Sequence, residues 1–245
     1  MSLGKRVAVL DGRRPQREAP ITILHNDHRI YRVSTADASC TTTTFTPDQM
    51  GFELFGMGFV SDAAGSAAET LFIAGGPESG IGGGSSVLGR IDVASLGVTR
   101  IGSVGGSPEL TGTGTGELWG FFPDASPMSV RQIGKTDAAT LRSIDVSSID
   151  SSGLGLGASA WAFAYWGGRF YMFYQGILDD STGIYRVPGH RGRGDGAGEH
   201  RLPDRGRRRV DLCADRPCLT EDDRGSQLSR LSYLQTDYGM PAPWP

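Results

Sequence analysis

The residues best equipped for chemistry are scattered along a glycine-rich chain, and few have partners at useful spacing. Cys213 and Cys218, with His190 and His200 upstream, supply the thiolate and imidazole ligands that zinc takes. The cysteine spacing is loose and there is no second cysteine pair. A glycine-arginine surrounding also provides no outer shell to orient the ligands, so no metal residue is assigned. Leu178-Asp179-Asp180-Ser181-Thr182-Gly183 offers oxygens of the kind calcium accepts. It lacks the spacing of an EF-hand loop and reads as a hydrogen-bonded turn. Glu117, Asp124, Asp145 and Asp150 are the carboxylates from which a glycosidase-type acid pair would be drawn. Each sits where a strand ends, which is where solvated turn carboxylates belong.

The remaining motifs are weaker. Gly82-Gly83-Gly84-Ser85-Ser86, the Thr-Gly run at 111–116 and the Gly-Leu alternation at 153–157 lack the Lys-Ser/Thr ending and following helix of a phosphate loop. No G-x-S-x-G nucleophile elbow occurs. Trp119, Trp161 and Trp166, with Tyr165 and Tyr171, have the side chains of a sugar- or peptide-binding face. Their spacing instead predicts packing between sheets. No catalytic, cofactor-binding or metal residue is therefore assigned.

The elements that would position these side chains are short strands. Glycine makes up 37 of 245 residues, about twice the usual share, which suits many strands joined by tight turns. The formal net charge of −3 argues against nucleic-acid binding. No apolar run reaches the ~18 residues of a membrane span. The opening MSLGKRVAVLDGRRP lacks the apolar core and cleavage site of a secretory signal. GRRPQREAP beside it is out of character and suggests a misassigned start. Of 22 arginines, ten lie between Gly189 and Arg230, and no histidine lies between Ile30 and Pro188. The chain thus divides into a polar head (1–29), a Gly/Ser/Thr/aromatic middle (30–188) and an Arg/Asp/Gly tail (189–245).

The middle repeats itself. IYRVSTADAS from Ile30, LGRIDVASLGVTRIG from Leu88, VRQIGKTDAATLRSI from Val130 and IYRVPG from Ile184 each begin with an alternating strand carrying an arginine. Three of them then reach an Asp/Ser/Thr/Ala turn, which is a hairpin signature. Between them lie a strand rich in small residues and a strand rich in aromatics, as in LTGTGTGELWGFFPD. Leu71, Trp119 and Tyr171 occupy corresponding places 48 and 52 residues apart, close to the period of propeller blades. Each unit reads as four strands: small-residue, aromatic, basic-alternating and outer. Small side chains suit first strands crowded near an axis, and second strands sandwiched between sheets are apolar on both faces. Units at 51–104, 105–149 and 158–188 are expected, with 21–24 and 30–46 closing a preceding one. The third loses its outer strand where the composition changes. A flat solenoid of hairpins is the competing architecture.

The phrases IYRVSTADASCTTTTF, GFELFGMGFVSD, ETLFIAGG, LTGTGTGELWGFFPD and SAWAFAYWGG resemble a family of uncharacterised bacterial extracytoplasmic, often lipoprotein-like, proteins with propeller-like repeats. The resemblance covers roughly 30–187 and implies a β fold and an exported location, but no activity. Such proteins tend to end in a strand resembling RIVGAGVSTCAP, whereas this chain reads PDRGRRRVDLCADRPC from Pro203. Synonymous codons exist for that run which, read from the second base, give RIVGAGVSTCAPTAL. The tail is therefore compatible with a frameshift between about 188 and 201, and its composition equally suits a disordered extension. In an exported protein Cys40 has the tail cysteines as candidate disulfide partners, joining first and last strands.

The sequence accordingly predicts an all-β chain: a propeller-like array of antiparallel four-stranded units, incomplete or irregularly closed, with irregular N- and C-terminal tails. Its expected role is a non-catalytic extracytoplasmic binding or scaffold module for a protein or carbohydrate ligand. The alternatives are a propeller-type hydrolase or lyase with axial carboxylates or metal, and a truncated or frameshifted copy without function.

Overall fold

The computed structural model describes residues 6–8, 21–34, 36–77, 85–150, 155, 157–189 and 200–201. Among these described residues, sixteen strands fall into four antiparallel sheets, none closed on itself. The first sheet holds β1 (Arg6–Ala8), β2 (Ile21–Leu24), β3 (Ile30–Val33) and β4 (Cys40–Thr42). The second holds β5 (Leu54–Ser61), β6 (Glu69–Gly76), β7 (Ser85–Ile91) and β8 (Val98–Gly105). The third holds β9 (Glu109–Gly112), β10 (Leu118–Phe122), β11 (Ser129–Ile133) and β12 (Thr140–Asp145). The fourth holds β13 (Ala158–Trp166), β14 (Arg169–Gly176), β15 (Gly183–Pro188) and β16 (His200–Arg201). Each sheet is an up-and-down meander in chain order, in the phase the repeat predicts.

Ile21–Leu24 forms the strand expected to close a preceding unit, while the head and tail also supply β1 and β16, which were not expected. β1 and β2 complete the first sheet, with Ile21 paired to Val33 and Arg6 to Leu24. The β-branched run Ile21-Thr22-Ile23 is a good strand former beside a partner that alternates at the same period. In the fourth sheet, β16 pairs with β15, Arg201 opposite Tyr185 and His200 opposite Arg186.

The sheets are held by three successive cores. Leu24 and Ile30 of the first sheet pack with Leu54, Leu71 and Ile73 of the second. Phe72, Ala74 and Leu88, on the other face of the second, pack with Leu118, Phe122 and Ile133 of the third. Trp119, Phe121 and Val130 then meet Phe163, Phe170 and Met172 of the fourth. β6 and β10 are thus buried on both faces, as their continuous apolar runs require. The first strands approach closely: β5 lies against β1 and β9, and β9 lies against β13. Glycine permits this. A Cβ on Gly58 would stand 2.9 Å from the Leu110 carbonyl carbon, and one on Gly112 would stand 2.7 Å from the Val60 Cα.

One turn recurs three times, between the third and fourth strands of the first three sheets. Ser34 bonds Ser39, Asp92 bonds Gly97 and Gly134 bonds Ala139, each through the backbone. The fifth residue of each loop is left-handed: Ala38 at φ 57°, Leu96 at 58° and Ala138 at 62°. Aspartate stiffens each loop, Asp37 accepting from Ser39 N–H, Asp92 from Ser95 N–H and Asp137 from Ala139 N–H. A left-handed L-residue costs about 1–2 kcal/mol, partly offset in a glycine variant by a looser unfolded chain. Ala38 is exposed, so Ala38→Gly is expected to raise the melting temperature slightly. Leu96 is buried against the first core. Leu96→Gly forfeits ~2 kcal/mol of burial and is expected to lower it. Thermal melts of the two variants should move in opposite directions.

Candidate functional site

A cavity of about 540 Å³ opens at the end of the third sheet where β10 turns into β11. Its wall is the loop 123–128, met by Ser147 and Asp150 from the linker to the fourth sheet, and by Gly155 and Gly157. That volume falls in the range of small-molecule pockets. The loop is fixed at its base by Asp124, whose Oδ2 accepts the Ser107 N–H at 2.9 Å and so ties it to the β8–β9 linker. The linker is fixed by a 3-10 turn at Ser147–Ile149, with Val146 and Ile149 buried in the third core. Val146 N–H also donates to the Met128 carbonyl at 2.9 Å, joining linker to loop. Asp150 Oδ2 accepts the Gly155 N–H at 3.1 Å.

The cavity is acidic. Asp124 and Asp150 are the ionisable side chains among its described lining residues. Beneath it, Tyr174 donates its hydroxyl proton to the Gly157 carbonyl at 3.2 Å. Burial, reinforced by the charges of Asp150 and Asp179, pushes the Tyr174 phenol up to about 12. Its protonated form is therefore favoured by folding. That stabilisation is whole below the ordinary value of 10 and declines as the pH climbs towards 12. A spectrophotometric titration should show one tyrosine ionising last, and Tyr174→Phe should remove that step.

Of the four carboxylates considered for an acid pair, Asp124 and Asp150 share this cavity. Glu117 lies at the opposite end of β10, accepting from Trp119 Nε1 at 3.2 Å and Gln132 Nε2 at 3.4 Å. Asp145 caps the linker by accepting the Ser147 N–H at 2.9 Å, and that bond holds its carboxyl below the usual range. Asp179 closes its own turn, accepting the Gly176 N–H at 2.8 Å. Among the described residues no group of three or more His, Cys, Asp or Glu is arranged to hold a metal. Gly82, Gly83 and Gly84, His190, Cys213 and Cys218 lie outside the described residues, while Ser85 and Ser86 begin β7 and Thr111 and Gly112 end β9.

The aromatic residues divide. Trp119 is fully buried, its ring 4.8 Å from that of Phe170. Trp161 and Tyr165 pack at the margin of the same core. Trp166 departs from the expected packing and is 71% exposed. Cys40, on β4, is disulfide-bonded. The loop residues Ser126, Pro127 and Met128 were not singled out by sequence, since a proline-flanked hairpin connection looks like any other turn.

No family model matches the chain, and no curated protein matches it.

Proposed function

We propose that the chain is a non-catalytic β-repeat module of propeller type that binds a ligand outside the cytoplasm. The observation that carries this reading is the succession of four-stranded meanders whose first strands lie side by side, β1 with β5, β5 with β9 and β9 with β13. Four such units fall at the lower end of the roughly four to eight blades such arrays use. The cavity at 123–128 supports a binding role, since it presents the carboxylates of Asp124 and Asp150 and the hydroxyls of Ser126 and Ser147 on a loop and linker fixed by hydrogen bonds. The disulfide at Cys40 supports an oxidising compartment and, with the resemblance of 30–187, an exported protein.

The test is a thermal-shift screen of glycans and peptides against the oxidised full chain. A ligand should raise the melting temperature of the parent and lose most of that effect in Asp124→Asn, which keeps an acceptor for the Ser107 N–H. Turnover of the ligand, abolished in the same variant, would replace this reading with the hydrolase or lyase. A second reading is a copy altered by a frameshift, supported by the run from Pro203, which is compatible in another frame with a RIVGAGVSTCAP-like strand. Resequencing codons 188–201 decides it. A frame leading to a VGAGVSTCAP-like strand is expected on that reading, and its absence removes it.

A further inference from the structure

Three stretches of chain are joined at the cavity. Val146 N–H ties the β12–β13 linker to the Met128 carbonyl of the loop 123–128. Ile177 N–H donates to the Gly157 carbonyl at 3.4 Å, which sets the β14–β15 turn against the same linker. In the sequence, 123–128, 146–157 and 176–182 together hold four aspartates, Asp124, Asp150, Asp179 and Asp180, and no lysine, arginine or histidine. Asp124 and Asp150 line the cavity itself. Each accepts a backbone N–H, from Ser107 at 2.9 Å and from Gly155 at 3.1 Å. Those bonds fix the carboxylates without cancelling their charge, and a carboxylate accepts more than one donor. The charge is felt beneath the cavity: burial is the largest cause of the raised Tyr174 phenol, and Asp150 and Asp179 add to it. No aromatic ring is among the described lining residues for a sugar to stack on, since Trp119 and Tyr174 are buried in the core. The adjoining turn carries Ile177 and Leu178, exposed to 56% and 65%.

We propose that the ligand of this cavity is a peptide whose cationic side chain, arginine or lysine, enters between Asp124 and Asp150; this rests on the reading of the cavity as a ligand site. A cation is the charge that the cavity complements, and an anion would meet like charge with no base to offset it. Charged donors facing carboxylates make stronger hydrogen bonds than neutral ones, and the hydroxyls of Ser126 and Ser147 offer further acceptors. Pro123, Pro127 and Met128 supply an apolar wall for the aliphatic stem that arginine and lysine carry below the charge. Ile177 and Leu178 stand beside it for an apolar neighbour in the peptide. A bare metal ion fits less well. The cavity, at about 540 Å³, is of side-chain rather than ionic size, and among the described residues no three His, Cys, Asp or Glu converge.

The experiment is isothermal titration of the oxidised full chain with a blocked leucine-arginine-leucine tripeptide and with its citrulline counterpart, which keeps the shape and lacks the charge. The arginine peptide should bind about fivefold tighter or more. That preference should shrink as salt rises from about 0.02 M to about 0.5 M. Asp124→Asn and Asp150→Asn each keep an acceptor for their backbone donor, and each should erase most of the preference. Asp92→Asn, which removes the same charge from the turn before β8, should leave it unchanged. Circular dichroism checks that each variant keeps its sheets, and if Asp150→Asn does not, Asp124→Asn decides alone. An arginine peptide that does not bind, or binds no better than the citrulline one, overturns the proposal. So does a preference that survives in Asp124→Asn, or agmatine, the same guanidinium without a peptide, binding as tightly. The module itself is judged separately by the thermal-shift screen. A neutral glycan that stabilises the parent and not Asp124→Asn keeps the module and sinks the cationic peptide.

Discussion

Replacing Trp119 by alanine lowers the folding free energy by about 3–5 kcal/mol, read as a shift in the denaturant midpoint at constant slope. The side chain has no exposed surface and stands between the third and fourth sheets, against Phe170. Its indole N–H donates to Glu117 at 3.2 Å, and the Arg142 guanidinium lies 5.4 Å from its ring centre. Removing it opens a void in a wall built of strand backbones on both sides, which cannot collapse without disturbing two ladders. It also leaves Glu117 with one donor fewer. Trp119→Phe keeps most of the volume and should cost clearly less. A loss below ~1 kcal/mol for the alanine variant would mean that the third and fourth sheets do not share this core.

Gly112→Val is expected to be as damaging by the opposite route. Valine is a better strand former than glycine, so local propensity favours the variant. The added Cβ alone would stand 2.7 Å from the Val60 Cα, and that obstacle is backbone, which has no rotamer to yield. Overfilling usually costs about 1–3 kcal/mol, and here β5 and β9 must move apart, so the upper end or beyond is expected. Gly65→Ala is the control. Its φ is positive, 75°, unlike that of Gly112, and there is open space around it, so it reports backbone strain without collision. If Gly112→Val melts within the error of the parent, the close approach of the first strands is wrong.

These outcomes bear on what the sequence could express. The repeat phase was legible because each unit writes its physics into composition: small residues where first strands crowd, unbroken apolar runs in β6 and β10, arginine-bearing alternation in β3, β7 and β11. The hairpin turns were legible through their aspartates. The later strands of the first unit were legible too, but its first strand was not, because Arg6-Val7-Ala8 is too short to show a period. The cavity was equally hidden. Its wall joins a hairpin loop to a linker about twenty residues later, and neither belongs to the repeating pattern. Trp166 was misjudged for a related reason. Its spacing matches that of buried aromatics, but burial depends on whether another sheet lies opposite, and a sequence counted along one strand carries no record of that.

Gln49 shows a different economy. Its Nε2 donates to the Leu96 carbonyl at 3.0 Å and its Oε1 accepts the Val98 N–H at 3.3 Å. A primary amide held that way is a peptide group in miniature, offering the turn before β8 one donor and one acceptor as an adjoining strand would. The connection between the first two sheets is thereby stitched to the rim of the second by a borrowed backbone unit, with no strand added. Glutamate has the length but no donor, and asparagine has both groups but a shorter reach, so this stitch has a chemical spelling of one residue.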